Sequence, residues 1–276
     1  MNPKISITVL SYRNPALLRL CLKSLASALA GHRDYEVVVV DNATSPETRN
    51  VLQEPFIAEL AAVRLVPLTE NTGYTRGVNE GFRASRGRFL CALNYDIVAR
   101  PGAVHELARF LAANPSVGLA GPRLVNFDGS DQDSSFRFYR PFTVLARRMS
   151  FLPGARTESE RFVVRNRGTE PMDVDWVSGA AFMTTRDAAD AVGLLDERLF
   201  HYLSDVDWAH RFWENGYRVV HVPSASLLHY LGRSSKGRYG ILDPLFNRAT
   251  RWHLADAWRY FRKHGIRGDR PVLRTS

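Results

Sequence analysis

The sequence predicts an α/β domain, a parallel sheet with helices on both faces. Short apolar runs alternate with amphipathic, helix-length segments through the first 114 residues. The runs are β-rich, as in Val37-Val38-Val39-Val40, and turn residues separate them. In order, residues 5–10 read as a strand and 15–29 as an amphipathic helix. Residues 35–40 form a fully apolar strand ending at Asp41-Asn42. A helix over 46–60, a strand over 63–67 and a helix over 73–84 follow, closed by the turn Ser85-Arg86-Gly87. Residues 88–93 read as a buried strand ending at Asn94-Tyr95-Asp96, and 102–114 as a helix. The pattern weakens over 127–172, which reads as a long excursion across the face where a ligand sits. It returns over 174–185, strand-like around Ser178-Gly179-Ala180-Ala181. A helix over 205–215 ends at Gly216, suited to a left-handed C-terminal cap. A strand over 217–222, a turn at Pro223 and the apolar Leu227-Leu228-His229 complete the core.

Bulk properties narrow the class. A chain of 276 residues with 45% hydrophobic and 24% charged residues is an ordinary globular one, long enough for a substantial core. Cys21 and Cys91 lie in apolar segments with no metal-like spacing, so a reducing cytosol is the expectation. The N-terminal apolar stretch is too short and too alternating for a signal peptide, and no run approaches the roughly 18 apolar residues of a spanning helix. The expected location is therefore cytoplasmic, or peripheral on the inner face of the plasma membrane. Of the net charge of +9, a balance of +8 falls in residues 232–276, with eleven Lys and Arg against three Asp. There Trp252, Trp258, Tyr260 and Phe261 interleave with Arg248, Arg251, Arg259, Arg262 and Lys263. Such a helix suits an anionic membrane surface, or packs by its Trp side and leaves a solvated basic face; the two are compatible. No nucleic-acid-binding motif accompanies the charge.

Ligands of such sheets bind at the carboxyl ends of the strands, where Ser11, Tyr12, Asp41 and Asp96 would share one edge. The usual dinucleotide and phosphate-loop glycine fingerprints are absent, as is the nucleophile elbow of Ser/His/Asp hydrolases. Gly73, Gly77 and Gly81 recur every four residues on one side of a helix. Spacing alone favours simple helix–sheet packing there over a diphosphate cradle. Asp41 suits either ribose hydroxyls and a base edge or the cap of the following turn. Asp96 suits a hard divalent cation, which takes one or two carboxylates and several waters. His229 reads as a satisfied core histidine or as a second ligand beside Asp96. Ser204 with Asp207 three residues on looks like a capping box, which explains Asp207 structurally and leaves Asp205 either as a general base or, with Asp207, as an acid that simply complements the helix dipole.

Taken in order, residues 7–14, 38–42, 71–81, 93–96, 177–182, 205–207 and 216–223, followed by His229, resemble glycosyltransferase family 2. Within it they are similar to the bacterial rhamnosyltransferase-like and galactofuranosyltransferase-like members, and the likeness spans about residues 4–235. The resemblance implies a GT-A fold with a mixed, mostly parallel sheet, and inverting single displacement from a dTDP- or UDP-sugar. It implies a domain over 1–235, with a nucleotide-sugar half over 1–125 and an acceptor and base half over 126–235, then a basic helical tail over 236–276. Asp41 would contact the nucleoside, with Ser11 and Tyr12 beside it, and Gly73 and Asn79 would lie near ribose and diphosphate. Asn94 and Asp96 would form the DxD-type motif, with Mg²⁺ or Mn²⁺ held by Asp96 and His229. Asp205 would be the general base, with Trp176, Ser178, Gly179 and Asp207 on the acceptor side. The sugar implied first is rhamnose, and the acceptor a glycan or lipid-linked saccharide of the cell surface.

Two positions depart from the family pattern. Asn94 replaces the first acid of the DxD motif, and Ser204 stands where the base aspartate's acidic neighbour is usual. A nucleotidyltransferase on a similar sheet and a sugar- or lipid-binding relative without turnover are the rival readings. The first would carry a Gly-rich basic loop after the opening strand, and Ser11-Tyr12-Arg13-Asn14-Pro15 is not one.

Overall fold

The computed structural model describes residues 4–148, 153–166, 168–230 and 247–271. Its opening half follows the predicted alternation: β1 (Ile5–Ser11), α1 (Pro15–Ala28), β2 (Tyr35–Asn42), α2 (Pro46–Leu52), β3 (Val63–Leu68), α3 (Gly73–Ala84) and β4 (Phe89–Asn94). β2 and β4 pair with β1, and β3 with β2, all in parallel. Alternate residues of these strands serve different cores. Ile7, Val9, Val37 and Val39 pack with Leu18, Leu22 and Leu25 of α1. Leu10, Val38 and Val40 pack with Val78 and Phe82 of α3.

The helix expected over 46–60 is broken. A 3-10 turn at Pro55–Glu59 follows α2, because Pro55 has no N–H and forces Glu54 into an extended conformation (φ −67°, ψ 145°).

A second group of strands completes the sheet: β5 (Ile97–Val98), β6 (Val117–Val125), β10 (Ala181–Thr185) and β11 (Arg218–His229). The order is β3-β2-β1-β4-β10-β6-β11-β5, and β10 alone on the path between β4 and β6 runs antiparallel to both. β11 lies parallel to β6. α4 (Ala103–Ala113) covers the face shared with α1. β6 escapes the sequence pattern because Gly118, Gly121 and Pro122 interrupt its apolar run. A Cβ on Gly118 would meet Phe212 at 2.5 Å, and one on Gly121 would meet Val177 at 2.5 Å. Close packing therefore costs this strand its sequence signal. β11 runs straight through the expected Pro223 turn; the register slips between Val222 and Ser226, and that irregularity absorbs the proline.

The excursion after β6 holds β7 (Ser135–Phe136), α5 (Pro141–Arg148), α6 (Ala155–Phe162), β8 (Met172–Asp173) and β9 (Trp176–Val177). The single strand expected over 174–185 is two, β9 and β10, parted by a turn at 178–180. α7 (Arg186–Val192), not foreseen, follows β10, and α8 (Ser204–Glu214) ends at Gly216 with φ +79°, the left-handed cap expected there.

α9 (Arg248–His264) turns Asp256, Ala257 and Tyr260 inward. The boundary expected at 235/236 and the tail over 236–246 lie outside the described residues. Asp256, fully buried, accepts from the backbone N–H groups of Phe200 (3.2 Å), His201 (3.0 Å) and Tyr202 (3.0 Å). This carboxylate fixes the loop that delivers α8. Asp256→Ala strands three donors, each worth about 1 kcal/mol. Urea unfolding of that variant is expected to show a stability loss of about 3 kcal/mol with an unchanged m value.

Candidate active site

β1, β2, β4 and β11 all end on one rim, and antiparallel β10 begins there. Ser11 lies opposite Asp41 in the β1–β2 register. Leu10 lies opposite Asn94, and the Tyr95 amide returns to Leu10 O at 3.2 Å. The Asn94 amide donates to Ala180 O at 2.9 Å, which joins the DxD-type segment to the turn ahead of β10. The short β5–β11 ladder pairs Ile97 with His229, and the Tyr230 amide donates to Asp96 O at 2.9 Å. Asp96 and His229 are neighbours for that reason. Their Oδ1 and Nε2 atoms stand 3.5 Å apart, with side chains 19% and 11% exposed.

Backbone strain concentrates on this rim. Among the described residues, the non-glycine positions with positive φ are Arg13 (49°), Ala43 (87°) and Leu203 (58°). The first two follow β1 and β2 directly, and the third delivers Asp205. Strain of this kind persists where surrounding structure over-determines it, and it clusters at functional sites. Unsatisfied polar atoms gather here as well. Ser11 Oγ, Asp41 Oδ1, Thr75 Oγ1, Asp96 Oδ1 and Ser204 Oγ are buried without hydrogen-bond partners. Asp41 spends only Oδ2, on the Ser45 amide at 2.9 Å. A polar ligand would satisfy such atoms.

Asp205 sits at the start of α8. Its Oδ2 accepts from the Gly179 amide at 2.8 Å and its Oδ1 from the Val206 amide at 3.0 Å. The Gly179 carbonyl accepts from the Tyr74 hydroxyl at 2.5 Å, so the two peptides flanking Gly179 are held, one by α3 and one by the aspartate. A Cβ on Gly179 would come within 3.0 Å of the carboxylate and 3.1 Å of the hydroxyl. Burial, opposed by the two amides, pushes the Asp205 carboxyl up to about 6. Burial and the nearby Asp205 charge push the Tyr74 hydroxyl up, which keeps it a neutral donor. Asp205 is thus ionised at neutral pH yet far more basic than an ordinary aspartate.

The divalent-ion expectation can be tested on the side chains themselves. Asp96 Oδ1 is buried, has no hydrogen-bond donor, and faces an imidazole nitrogen. A carboxylate and an imidazole are hard-to-borderline ligands, and two protein ligands suit an ion that completes its shell with phosphate and water. The residues fit the group. Gln132, from the stretch that gave no reading in the sequence, approaches His229 Nδ1 at 2.8 Å.

Four expected site residues do other work. Asp207 was expected on the acceptor side, yet it is fully buried and meets Arg211 Nε at 3.0 Å, Lys263 Nζ at 2.6 Å and His264 Nε2 at 2.7 Å. Burial works against its charge, but His264, Arg211 and Lys263 hold its carboxyl below the ordinary range. Nor is there a capping box. Leu203 caps α8 in a left-handed conformation, and Ser204 Oγ bonds nothing. Asn79 was expected near ribose, but its amide donates to Leu195 O (2.8 Å) and Glu197 Oε1 (3.0 Å) and accepts from the Leu195 amide (3.1 Å). Trp176, expected on the acceptor side, is buried, stacks on Phe136 at 4.2 Å and donates to Arg137 O. Gly73, at φ +85°, lets the chain at Phe200 approach, since a Cβ there would meet Phe200 O at 2.2 Å. Gly77 and Gly81 press on Leu10 and Thr8 in the same way, the packing that their spacing favoured. Asn42 was singled out by no pattern; it ties the 71–73 turn to β2 through Thr72 N (2.8 Å) and Gly73 O (3.1 Å).

The sequence profile of glycosyl transferase family 2 matches residues 6–192. An N-acetylglucosaminyl-diphospho-decaprenol L-rhamnosyltransferase of Mycobacterium tuberculosis is 29% identical over 97% of this chain and 91% of its own. The dTDP-rhamnosyl transferase RfbF of Shigella flexneri is 26% identical over 96% of this chain and 82% of its own. Among solved structures, the mannosyltransferase PcManGT from Pyrobaculum calidifontis, in complex with GDP-Man and Mn²⁺, superposes with a TM-score of 0.62 at 18% identity. That superposition covers 98% of this chain and 66% of the other, and it bears on the fold, which is GT-A.

Because the Asp205 carboxyl titrates above an unfolded aspartate, its ionised form costs stability at neutral pH, and protonation as pH falls through 6 relieves that cost. Asp205→Asn removes that charge but turns an NH2 toward one of the two amides, so its stability relative to wild type is expected to fall by about 1 kcal/mol, allowing for solvent screening, between pH 8 and pH 4. Thermal melts across that range measure it.

Proposed function

The chain belongs to glycosyl transferase family 2, and from that premise we propose that it moves a sugar, rhamnose first among the candidates, from a dTDP- or UDP-sugar to a glycan or lipid-linked saccharide. The transfer would serve cell-surface polysaccharide biosynthesis and invert the anomeric carbon. One observation carries the reading: a basic, half-buried Asp205 and the facing ligand atoms of Asp96 and His229 share one rim of the sheet. Both sequence relatives described above bear names that specify rhamnosyl transfer, and one names a decaprenyl-diphosphate-linked acceptor.

The residues divide the work. Ser11 Oγ and Asp41 Oδ1, adjacent on β1 and β2 and otherwise unpartnered, receive the polar edge of the nucleoside. The Gly179 and Val206 amides aim the Asp205 carboxylate, which takes the proton from the acceptor hydroxyl as its oxygen attacks the anomeric carbon. Attack from the face opposite the departing nucleoside diphosphate gives inversion. Asp96 and His229 would hold Mg²⁺ or Mn²⁺, which supplies positive charge to the donor diphosphate.

α9 supports a peripheral position beside a membrane-borne acceptor. Its one acid, Asp256, is buried, while Arg251, Leu254, Trp258 and Arg262 face outward, with Trp258 62% exposed and Arg262 stacked on it at 5.3 Å. Aromatic and basic groups together suit an anionic lipid surface. Among the described residues no helix is long and apolar enough to cross a membrane.

Three experiments test the reading. Asp205→Asn is expected to lower transfer at least a thousandfold while donor affinity stays within about threefold; loss of donor binding would move Asp205 into the nucleotide site. Wild-type kcat/KM should fall about tenfold per pH unit below pH 6, as the base becomes protonated. Melting-temperature screens of nucleotide sugars should show a rise for a dTDP- or UDP-sugar that grows with Mn²⁺ and is absent in Asp96→Asn, with release of nucleoside diphosphate on adding acceptor.

A further inference from the structure

Gln132 is held in an unusually determined position. After β6 the chain turns through Asn126 to Ser130 and comes back, with Val125 bridged to Asp131 and the Gln132 amide donating to Leu124 O at 2.9 Å. The turn carries the Gln132 side chain to the end of β11. Its Nε2 donates to Asn126 Oδ1 at 2.6 Å and to His229 O at 2.8 Å. Asn126 is itself oriented, through Nδ2 to Ser130 Oγ at 2.9 Å. With both amide hydrogens committed, the atom that faces His229 Nδ1 at 2.8 Å is the carbonyl oxygen Oε1.

An amide oxygen only accepts, so His229 Nδ1 must carry a proton. In the neutral imidazole Nε2 then presents a bare lone pair. Asp96 Oδ1, also without a donor, lies 3.5 Å away. Two acceptors face one another across a gap that a cation would fill. In the opposite tautomer, Nε2–H would donate to Asp96, and each ligand would satisfy the other. Gln132 disfavours that tautomer, because a bare Nδ1 would then face its amide oxygen.

We infer that Gln132 is a positioning residue for divalent-cation binding, holding His229 in the Nδ1–H tautomer so that Nε2 and Asp96 stay open together. The inference rests on the reading that Asp96 and His229 hold the ion. It adds a partner from the excursion to that pair, and outer partners of ligating histidines commonly govern affinity by tenfold to a hundredfold.

The test uses the metal-free full chain, with side-chain ¹⁵N-labelled histidine, and Mn²⁺ titrations read by the electron paramagnetic resonance of free Mn²⁺. Long-range ¹H–¹⁵N spectra of wild type should show His229 protonated at Nδ1 and bare at Nε2. Gln132→Met, similar in length but without the acceptor, should shift the proton to Nε2 and weaken Mn²⁺ about tenfold to a hundredfold. Gln132→Glu, which keeps an acceptor, should retain the tautomer and bind Mn²⁺ at least as tightly as wild type. Gln132→Met with unchanged tautomer and affinity overturns the inference. Should that variant not fold, Gln132→Glu decides alone, and loss of the Nδ1–H signal or of Mn²⁺ binding overturns it. Mn²⁺ binding that survives Asp96→Asn and His229→Ala sinks the ligand reading itself, a failure visible whatever Gln132 does.

Discussion

A ladder of two residue pairs, Val98 with Leu228 and Ile97 with His229, is the constraint on which the rest of the site depends. Asp96 and His229 are more than a hundred residues apart in sequence, and neither element alone brings them together. The β5–β11 pairing does, and the same strand end is where the hairpin after β6 returns with Gln132. The carboxylate and the imidazole stand 3.5 Å apart, a spacing set by backbone register, and together they offer two ligand atoms to a cation.

The Asp205 side of the rim is built on a different principle. Asp205 depends on one residue, Gly179, whose carbonyl accepts from Tyr74 and whose amide donates to the carboxylate. The left-handed Leu203 starts α8 at that spot, and Asp256 of α9 secures the three preceding amides. Asp207, two residues further along, is sealed against Lys263 and His264. The basic C-terminal helix is therefore part of the frame that positions Asp205.

Much of the site was legible in the chain. Asp41 at the end of a valine run, Asp96 after Leu93-Asn94-Tyr95 and Asp205 at a helix start are positions where strand and helix periodicity stop, and a polar residue just past a stop lands on the rim of a sheet. The pattern could not separate Asp205 from Asp207, which stand on the same first turn of α8. Nor could it see that Asn79 and Trp176 are spent on the 193–203 loop and on the Phe136 stack. Gln132 and Asn42 carried no periodic signal, since each acts through a single contact to a distant segment.

The sequence by itself determined the alternating α/β order, the parallel opening half and the acids that end its strands, because side-chain periodicity and turn chemistry are local. Only the tertiary structure decided which carboxylate is free, which glycine makes room for which neighbour, and how one glutamine fixes the face of a histidine. Those choices depend on contacts across 26 to more than a hundred residues of chain, set by strand register and helix docking, which no local pattern encodes.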